Sequence, residues 1–335
     1  MEIKEIGKEG LVERISKLFG EGQGGGHADF GGYGVASSLG GRGLSASVLL
    51  MEGVDFDLVY FPLNYLGFKT VTSAVAGIYG SGGKPDHLSL VLGISQRFQV
   101  EDVEFFMRGV SEACRFYGVD LSFFDLTSSL TGFAISATSF GESAYGTTGQ
   151  QAGPGELICV TGDLGAAYMG LQLMVREKKA FDATIDFHPD FGGREYLLER
   201  QLKPVLPVPV LEALGESRVH LTFLSVLRSG LSDALVRMSR VSGVGCRIYE
   251  KSLPIDFQTV RMSEDFGLDP SLAAMHGGED YQFLFTVPLT DKERIDALTG
   301  VTTIGFTTET SEGLSLVGRS GGTTPIRPDD YATKD

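Results

Sequence analysis

From Leu44 onward, short runs with the two-residue period of a strand alternate with longer runs of helical period, which restricts the chain to a mixed α and β architecture. Leu44 to Met51, Leu88 to Gly93, Val119 to Phe124 and Gly132 to Phe140 read as strands, while Lys69 to Tyr79 and Val100 to Tyr117 read as helices. A Gly/Pro-rich stretch over Gln150–Gly155 then precedes a new strand, Leu157 to Thr161, and sets the expected boundary between domains 1–150 and 151–335. The second half repeats the pattern. Leu164 to Lys178, Ser232 to Ser242 and Asp291 to Leu298 read as helices; Val219 to Val226, Gly245 to Tyr249, Tyr281 to Val287 and Val301 to Phe306 read as strands. Ahead of Leu44, a short helical pattern from Glu9 to Phe19 gives way to a glycine-dense segment over about residues 20–43, read as a mobile loop. The expected class is α+β, in two halves.

Charge and cysteine usage narrow the partners. The 335 residues carry 43 acidic and 28 basic side chains, a net charge of −15, which disfavours a nucleic-acid partner because such binding draws on Lys and Arg displacing counterions. Cys114, Cys159 and Cys246 are far apart with no C-x-x-C spacing, so neither a disulfide framework nor a zinc site is expected. His27, His87, His188, His220 and His276 are equally scattered. No apolar run approaches a membrane span and no basic start leads into one, so a cytoplasmic protein without a membrane partner is expected. The 46 glycines imply many tight turns and backbone-lined pockets.

Four stretches carry more than periodicity: Gly162–Gly170, Arg200–Pro204, Ser242–Tyr249 and the run His276-Gly277-Gly278-Glu279-Asp280-Tyr281-Gln282-Phe283-Leu284-Phe285. With Glu52-Gly53-Val54, Ile78-Tyr79, Leu92–Ser95 and Thr127–Gly132, they resemble the bacterial thiamine-monophosphate kinases of the AIR-synthase-like ATP-binding superfamily, over roughly residues 8–310. The resemblance implies an AIR-synthase-like two-domain fold, with an N-terminal mixed domain whose sheet pairs in a homodimer and a C-terminal α+β domain closing over the nucleotide. It implies transfer of the γ-phosphoryl group of ATP to thiamine monophosphate, with clustered carboxylates holding Mg²⁺ against the triphosphate.

Those carboxylates are largely missing. The family's Gly-Asp-Asp turn falls near Gly31–Val35, which contains no acid, and Val48 stands where a strand-end Asp is expected. Gly77 replaces the Asp before Ile78-Tyr79, while Val226 and Ser229 replace both acids of an Asp-Ile-Ser-Asp-Gly turn. Asp125 remains, preceded by Phe123-Phe124 in place of two glycines. A phosphate-contacting Arg corresponds to Gly149, and a His after Glu52-Gly53-Val54 corresponds to Asp55.

What remains as cleft is Glu52, Asp55, Thr127, Gly162, Asp163, Gly165, Gly277, Gly278, Glu279 and Asp280. Gly162–Gly170 reads either as a phosphate cradle at a strand-to-helix turn or as a tight turn before a small-residue helix. Glu279-Asp280 reads either as substrate-end chemistry or as a carboxylate-capped turn. Asp125 is a lone carboxylate, a poor Mg²⁺ cage. Ser229 reads as a helix cap for Leu231 onward. Asp29, Asp55, Asp57 and Asp233 lie near lost positions, but a one-residue shift along a strand moves a side chain to the other face. The expectation is an inactive homologue with a binding or scaffolding role, with no metal and no cofactor. The alternative is an active kinase using ATP and Mg²⁺ with relocated ligands; a third reading is another enzyme acting on a less charged ligand in the same cleft.

Overall fold

The computed structural model describes residues 43–145, 151–183 and 191–327. The expected helix over Glu9 to Phe19, most of the glycine-dense loop, Asp29 and Gly149 lie outside them.

The first half builds a four-stranded sheet from β1 (Gly43–Met51), β2 (Gly83–Ile94), β3 (Asp120–Ser128) and β4 (Ala134–Ser143), in the order β1-β4-β2-β3. Its antiparallel β1–β4 and β4–β2 pairs are followed by a parallel β2–β3 pair, whose crossover is helix α2 (Val100–Tyr117). Helix α1 (Leu63–Gly80) connects β1 to β2. Its residues from Leu66 to Tyr79 are all buried, as befits a helix with little polar surface. The burial has a geometric cause: α1 packs on β1, β2 and β4 and also reaches β6 (Phe223–Leu227) of the second sheet.

The second half carries a seven-stranded sheet. To β5 (Leu157–Thr161) and β6 it adds β7 (Val244–Tyr249), β8 (Gln282–Val287), β9 (Val301–Glu309), β10 (Leu314–Val317) and β11 (Thr323–Pro325), in the order β11-β10-β7-β9-β5-β8-β6. Strands β5, β6 and β8 are buried at every position, which explains their continuous apolar runs. Around them lie α3 (Ala166–Ala183), α4 (Glu195–Leu202), α5 (Val208–Glu216), α6 (Leu231–Ser242), α7 (Phe257–Asp265), α8 (Pro270–His276) and α9 (Lys292–Asp296). One buried apolar cluster runs through both halves, from Val48, Leu90 and Ile135 of the first sheet to Leu157, Val226 and Phe285 of the second.

The α+β pattern and most strands match the sequence expectations; β10 and β11 were not expected, the helix expected over Asp291–Leu298 covers only Lys292–Asp296, and other differences have a local cause. Helix α1 starts at Leu63, six residues before Lys69, because Pro62 precedes its first turn and fits there without needing an amide donor. The strand expected from Val219 begins only at Phe223, where pairing with β8 starts. Strand β3 runs on to Ser128 because its parallel register with β2 continues to Ile94. Helices α4, α5, α7 and α8 were not foreseen; each is at most nine residues, too short for a clear helical period.

Candidate functional site

Of the lost-ligand positions, Val48, Gly77 and Val226 are buried, and Ser229 is half-buried. Val48 on β1 is 5% exposed, Val226 on β6 is 5% exposed, and both belong to the cluster that also contains Ala76 of α1. Gly77 is buried in the same helix. At the junction of α1 with β6, a methyl group added to Gly80 would meet Val226 Cγ2 at 3.2 Å, so helix and strand are in close contact there. Gly230, at φ 113°, and not Ser229 stands at the N-cap of α6, which has no side-chain cap hydrogen bond; this corrects the reading of Ser229 as that cap.

Asp125 stands apart from this cluster. Across the first sheet, Val48, Ala137, Leu90 and Phe124 form one row, and Leu49, Ser136, Val91 and Asp125 form the next. Neighbouring rows project to opposite faces. Val48 therefore faces α1, and Asp125 faces the open side with Leu49, where its Oδ1 accepts a hydrogen bond from the Leu126 amide at 2.8 Å. Thr127 is exposed on the same strand.

The nearby acids are engaged in turns. Glu52 Oε2 accepts from the Phe133 amide at 2.9 Å, and its Oε1 pairs with Arg97. Asp55 Oδ2 accepts from the Met51 amide at 2.8 Å, closing the turn after β1. Asp57 pairs with Lys178 of α3 at 2.5 Å. Burial pushes the Asp57 carboxyl up, but Lys178 and the Val59 amide outweigh it and leave its pKa below the usual value. Among the described residues, no group of three or more His, Cys, Asp or Glu side chains is arranged to hold a metal ion.

The remaining candidates form a second centre. Gly162 (φ 55°) and Gly165 (φ 85°) shape the turn between β5 and α3. A Cβ at Gly162 would meet the Gln282 side chain at 2.4 Å, so glycine is required both by conformation and by space. The amides of Gly165 and Ala167 both donate to Asp280, a carboxylate only 2% exposed. An internal carboxylate thus satisfies the free amides of this helix start, where the backbone N–H groups favour an anion. Gly277 and Gly278 bring the chain against Ala273, Tyr168 and Arg228.

Arg200 organises this centre. Its Nη2 donates to the Asp163 carbonyl at 2.8 Å and lies 3.9 Å from Asp280 Oδ1, while Tyr196 donates to Asp163 Oδ1. With its amide oxygen turned toward the guanidinium, Gln282 accepts from Arg200 Nη1 at 2.9 Å. Arg200 Nε and Asp280 Oδ1 are buried without a hydrogen-bond partner among the described residues. Burial raises the pKa of Asp280 to about 7, against the opposing pull of Arg200 and the two amides. On the other side of the strand start, Glu279 pairs with Lys69 of α1 at 2.7 Å and accepts from Gln201 Nε2 at 3.0 Å. Burial opposes ionisation of Glu279, but Lys69 and the hydrogen bonds overcome it and its pKa is lowered. Arg200 and Gln201 were visible as part of a motif; Lys69, inside an apolar helix, carried no sequence signal.

The AIR synthase related protein N-terminal domain model matches residues 38–143. A thiamine-monophosphate kinase of Aquifex aeolicus is 28% identical over 328 residues, 95% of this chain and 97% of that protein. The thiamine-monophosphate kinase of Methanopyrus kandleri is 30% identical over 255 residues, 75% of this chain and 74% of the relative. The chain belongs to the thiamine-monophosphate kinase family. The structure of AaThiL complexed with AMPPCP and TMP superposes with a TM-score of 0.83 at 26% identity, covering 99% of this chain and 98% of that one. The two-sheet architecture is therefore the AIR-synthase-like fold of the thiamine-monophosphate kinase family, and the buried Val48–Val226 region and the Asp280 centre are features of a family member.

Proposed function

We propose that this family member is a catalytically inactive homologue of thiamine-monophosphate kinase with a binding or scaffolding role. The observation that carries this reading is the burial of Val48 and Val226 in one apolar cluster and of Gly77 in α1, at positions where the family resemblance calls for metal-holding acids. Phosphoryl transfer depends on charge neutralisation around the triphosphate, and apolar side chains supply none. Val and Gly at these positions also remove the mutual repulsion of clustered acids, a change that favours stability over activity.

The relatives favour the second reading, an active ATP- and Mg²⁺-dependent kinase with relocated ligands, since those named above are kinases and one is described with AMPPCP and TMP. Incubating purified protein with ATP, Mg²⁺ and thiamine monophosphate separates the two. The inactive reading expects no thiamine diphosphate above a no-enzyme control; formation above it overturns that reading. On the inactive reading neither Mg²⁺ nor ATP is a cofactor.

The same reading includes a homodimer joined through the open face of the first sheet, where Leu49 is 60% and Phe123 53% exposed. It also includes two domains meeting at about residue 150. Three free, buried cysteines fit a reducing, cytoplasmic setting, and burial raises each of their pKa values, so none is a ready nucleophile. No helix among the described residues is long and apolar enough to cross a membrane.

A further inference from the structure

A cavity of about 310 Å³ opens between α4 and α7, away from the Val48–Val226 cluster. It is lined by Gly192, Gly193, Arg194 and Leu197 on one side and by Phe257, Gln258, Arg261, Met262 and Asp265 on the other. Phe257, Arg261 and Asp265 follow one another at four-residue spacing along α7, so they share one face of that helix. Leu197 and Met262 are buried and supply an apolar floor, and Phe257 is 72% exposed at the rim.

The charges in this cavity are unusual for the chain. Acids outnumber bases by fifteen overall, and most described arginines are paired or bonded to a neighbour. Yet neither Arg194 nor Arg261 has an ion pair or side-chain hydrogen bond among the described residues, and Asp265 lies in the same cavity without pairing to either. Two arginines lining one concavity place like charges in the same space, and an anion bound there offsets their repulsion. Guanidinium is also the side chain best suited to grip phosphate or carboxylate, through its planar fork of donors. The volume lies at the lower end of the range for small-molecule pockets, roughly 300–1,000 Å³.

We propose that this cavity binds a small organic anion carrying an aromatic group, with Arg194 and Arg261 holding the anionic end and Phe257 packing on the ring. Asp265 limits the affinity by opposing the anion. The site is independent of whether the chain transfers phosphoryl groups, because it shares no residue with either centre described above.

Phenyl phosphate, benzoate and inorganic phosphate serve as probes, titrated into the full-length protein by calorimetry at low ionic strength. Phenyl phosphate is expected to saturate one site per chain with Kd at or below about 1 mM. Inorganic phosphate should bind at least about tenfold more weakly, and benzoate, with one charge, should fall between them. The double variant R194Q/R261Q should weaken phenyl phosphate by about tenfold or more, and D265N should tighten it. The D265N gain guards against misreading a folding defect as lost binding. Absence of saturable phenyl phosphate binding, equal affinity in R194Q/R261Q, or equal affinity for phenyl phosphate and inorganic phosphate would each overturn the proposal.

Discussion

Lys69 Nζ lies 2.7 Å from Glu279 Oε2, and this ion pair joins the central helix of the first half to a strained turn of the second. Lys69 is 3% exposed and also donates to the Gln201 carbonyl at 3.0 Å, while its charge lies over the Phe61 ring. Glu279 and Tyr281 both have left-handed backbone, φ 58° and 52°, which costs about 1–3 kcal/mol for each such residue. What holds the turn in that shape is visible on both sides. Glu279 and Tyr281 reach α1, the latter through a 2.6 Å hydrogen bond between its hydroxyl and Ser73 Oγ. Asp280, between them, reaches the Gly165 amide at the start of α3. The tripeptide therefore ties the first half to the second sheet and its flanking helix.

Breaking one side of the Lys69–Glu279 pair should be costly. E279Q leaves a buried ammonium without its counter-ion and should destabilise by about 3 kcal/mol, the lower end for a broken buried pair because Glu279 keeps some solvent contact. K69M should cost less, since the exposed edge of Glu279 can rehydrate. K69M/E279L should recover part of the loss. Urea unfolding of the three variants checks the order, and a loss below about 0.5 kcal/mol in E279Q would refute the role given to the pair.

Asp280 sets a pH dependence of definite sign. Its pKa rises from 3.8 to about 7 in the folded chain, so the native state binds this proton more tightly than the unfolded chain does. The associated stability is fully present below pH 3.8 and is lost as pH rises toward 7, with a slope of up to about 1.4 kcal/mol per pH unit between them. Glu279 acts oppositely, since its lowered pKa contributes stability above its ordinary value that is lost under acid. Unfolding measured at pH 5, 6 and 7 for the parent and D280N isolates the first effect. The stability of the parent relative to D280N should fall over that range, and a flat difference would contradict the assignment.

Restoring the missing acids tests the inactive reading. V48D and V226D each place a carboxylate where the side chain is about 5% exposed, and each alone should destabilise by several kcal/mol, about 2–4 by the usual penalty for an unpaired buried charge. The combined V48D/G77D/V226D/S229D variant should melt below the parent in EDTA. Mg-ATP should raise its Tm while leaving the parent nearly unchanged; about 2.7 kcal/mol is available at a hundredfold excess over Kd. A larger Mg-ATP-dependent rise in the parent would mean that its own residues already build a metal site. Asp125 is not expected to take part from within the same chain, because it projects from the opposite face of the sheet from Val48.

The dimer proposal has its own readout. L49K/F123K puts two charges on the open face of the first sheet, where both native side chains are largely exposed and contribute nothing to the core of one chain. Light scattering should give a dimer for the parent at micromolar concentration and a monomer for the variant, with little change in monomer stability. A monomeric parent would refute the proposal.

Much of this protein is determined locally and could be read without coordinates. Period-two runs such as Leu44 to Met51 and helical runs such as Val100 to Tyr117 became β1 and α2 because burial on one face imposes that alternation. The motifs Gly162–Gly170 and His276–Phe285 located the turns around Asp280, since left-handed and crowded backbone positions call for glycine. Identity of the missing acids is likewise a property of the sequence. Only the tertiary structure decided what filled their place and what the surviving acids do. Val48, Gly77 and Val226 are 29 and 149 residues apart in succession, and their shared burial exists only because α1 lies between the two sheets. The same holds for Lys69 and Glu279, whose pairing spans 210 positions. Asp280 reads equally as substrate-end chemistry or as the cap of a turn until the Gly165 amide, 115 residues away, is seen to donate to it. Local pattern encodes which face is apolar; which residues from distant segments meet on that face is decided by the packing of the layers.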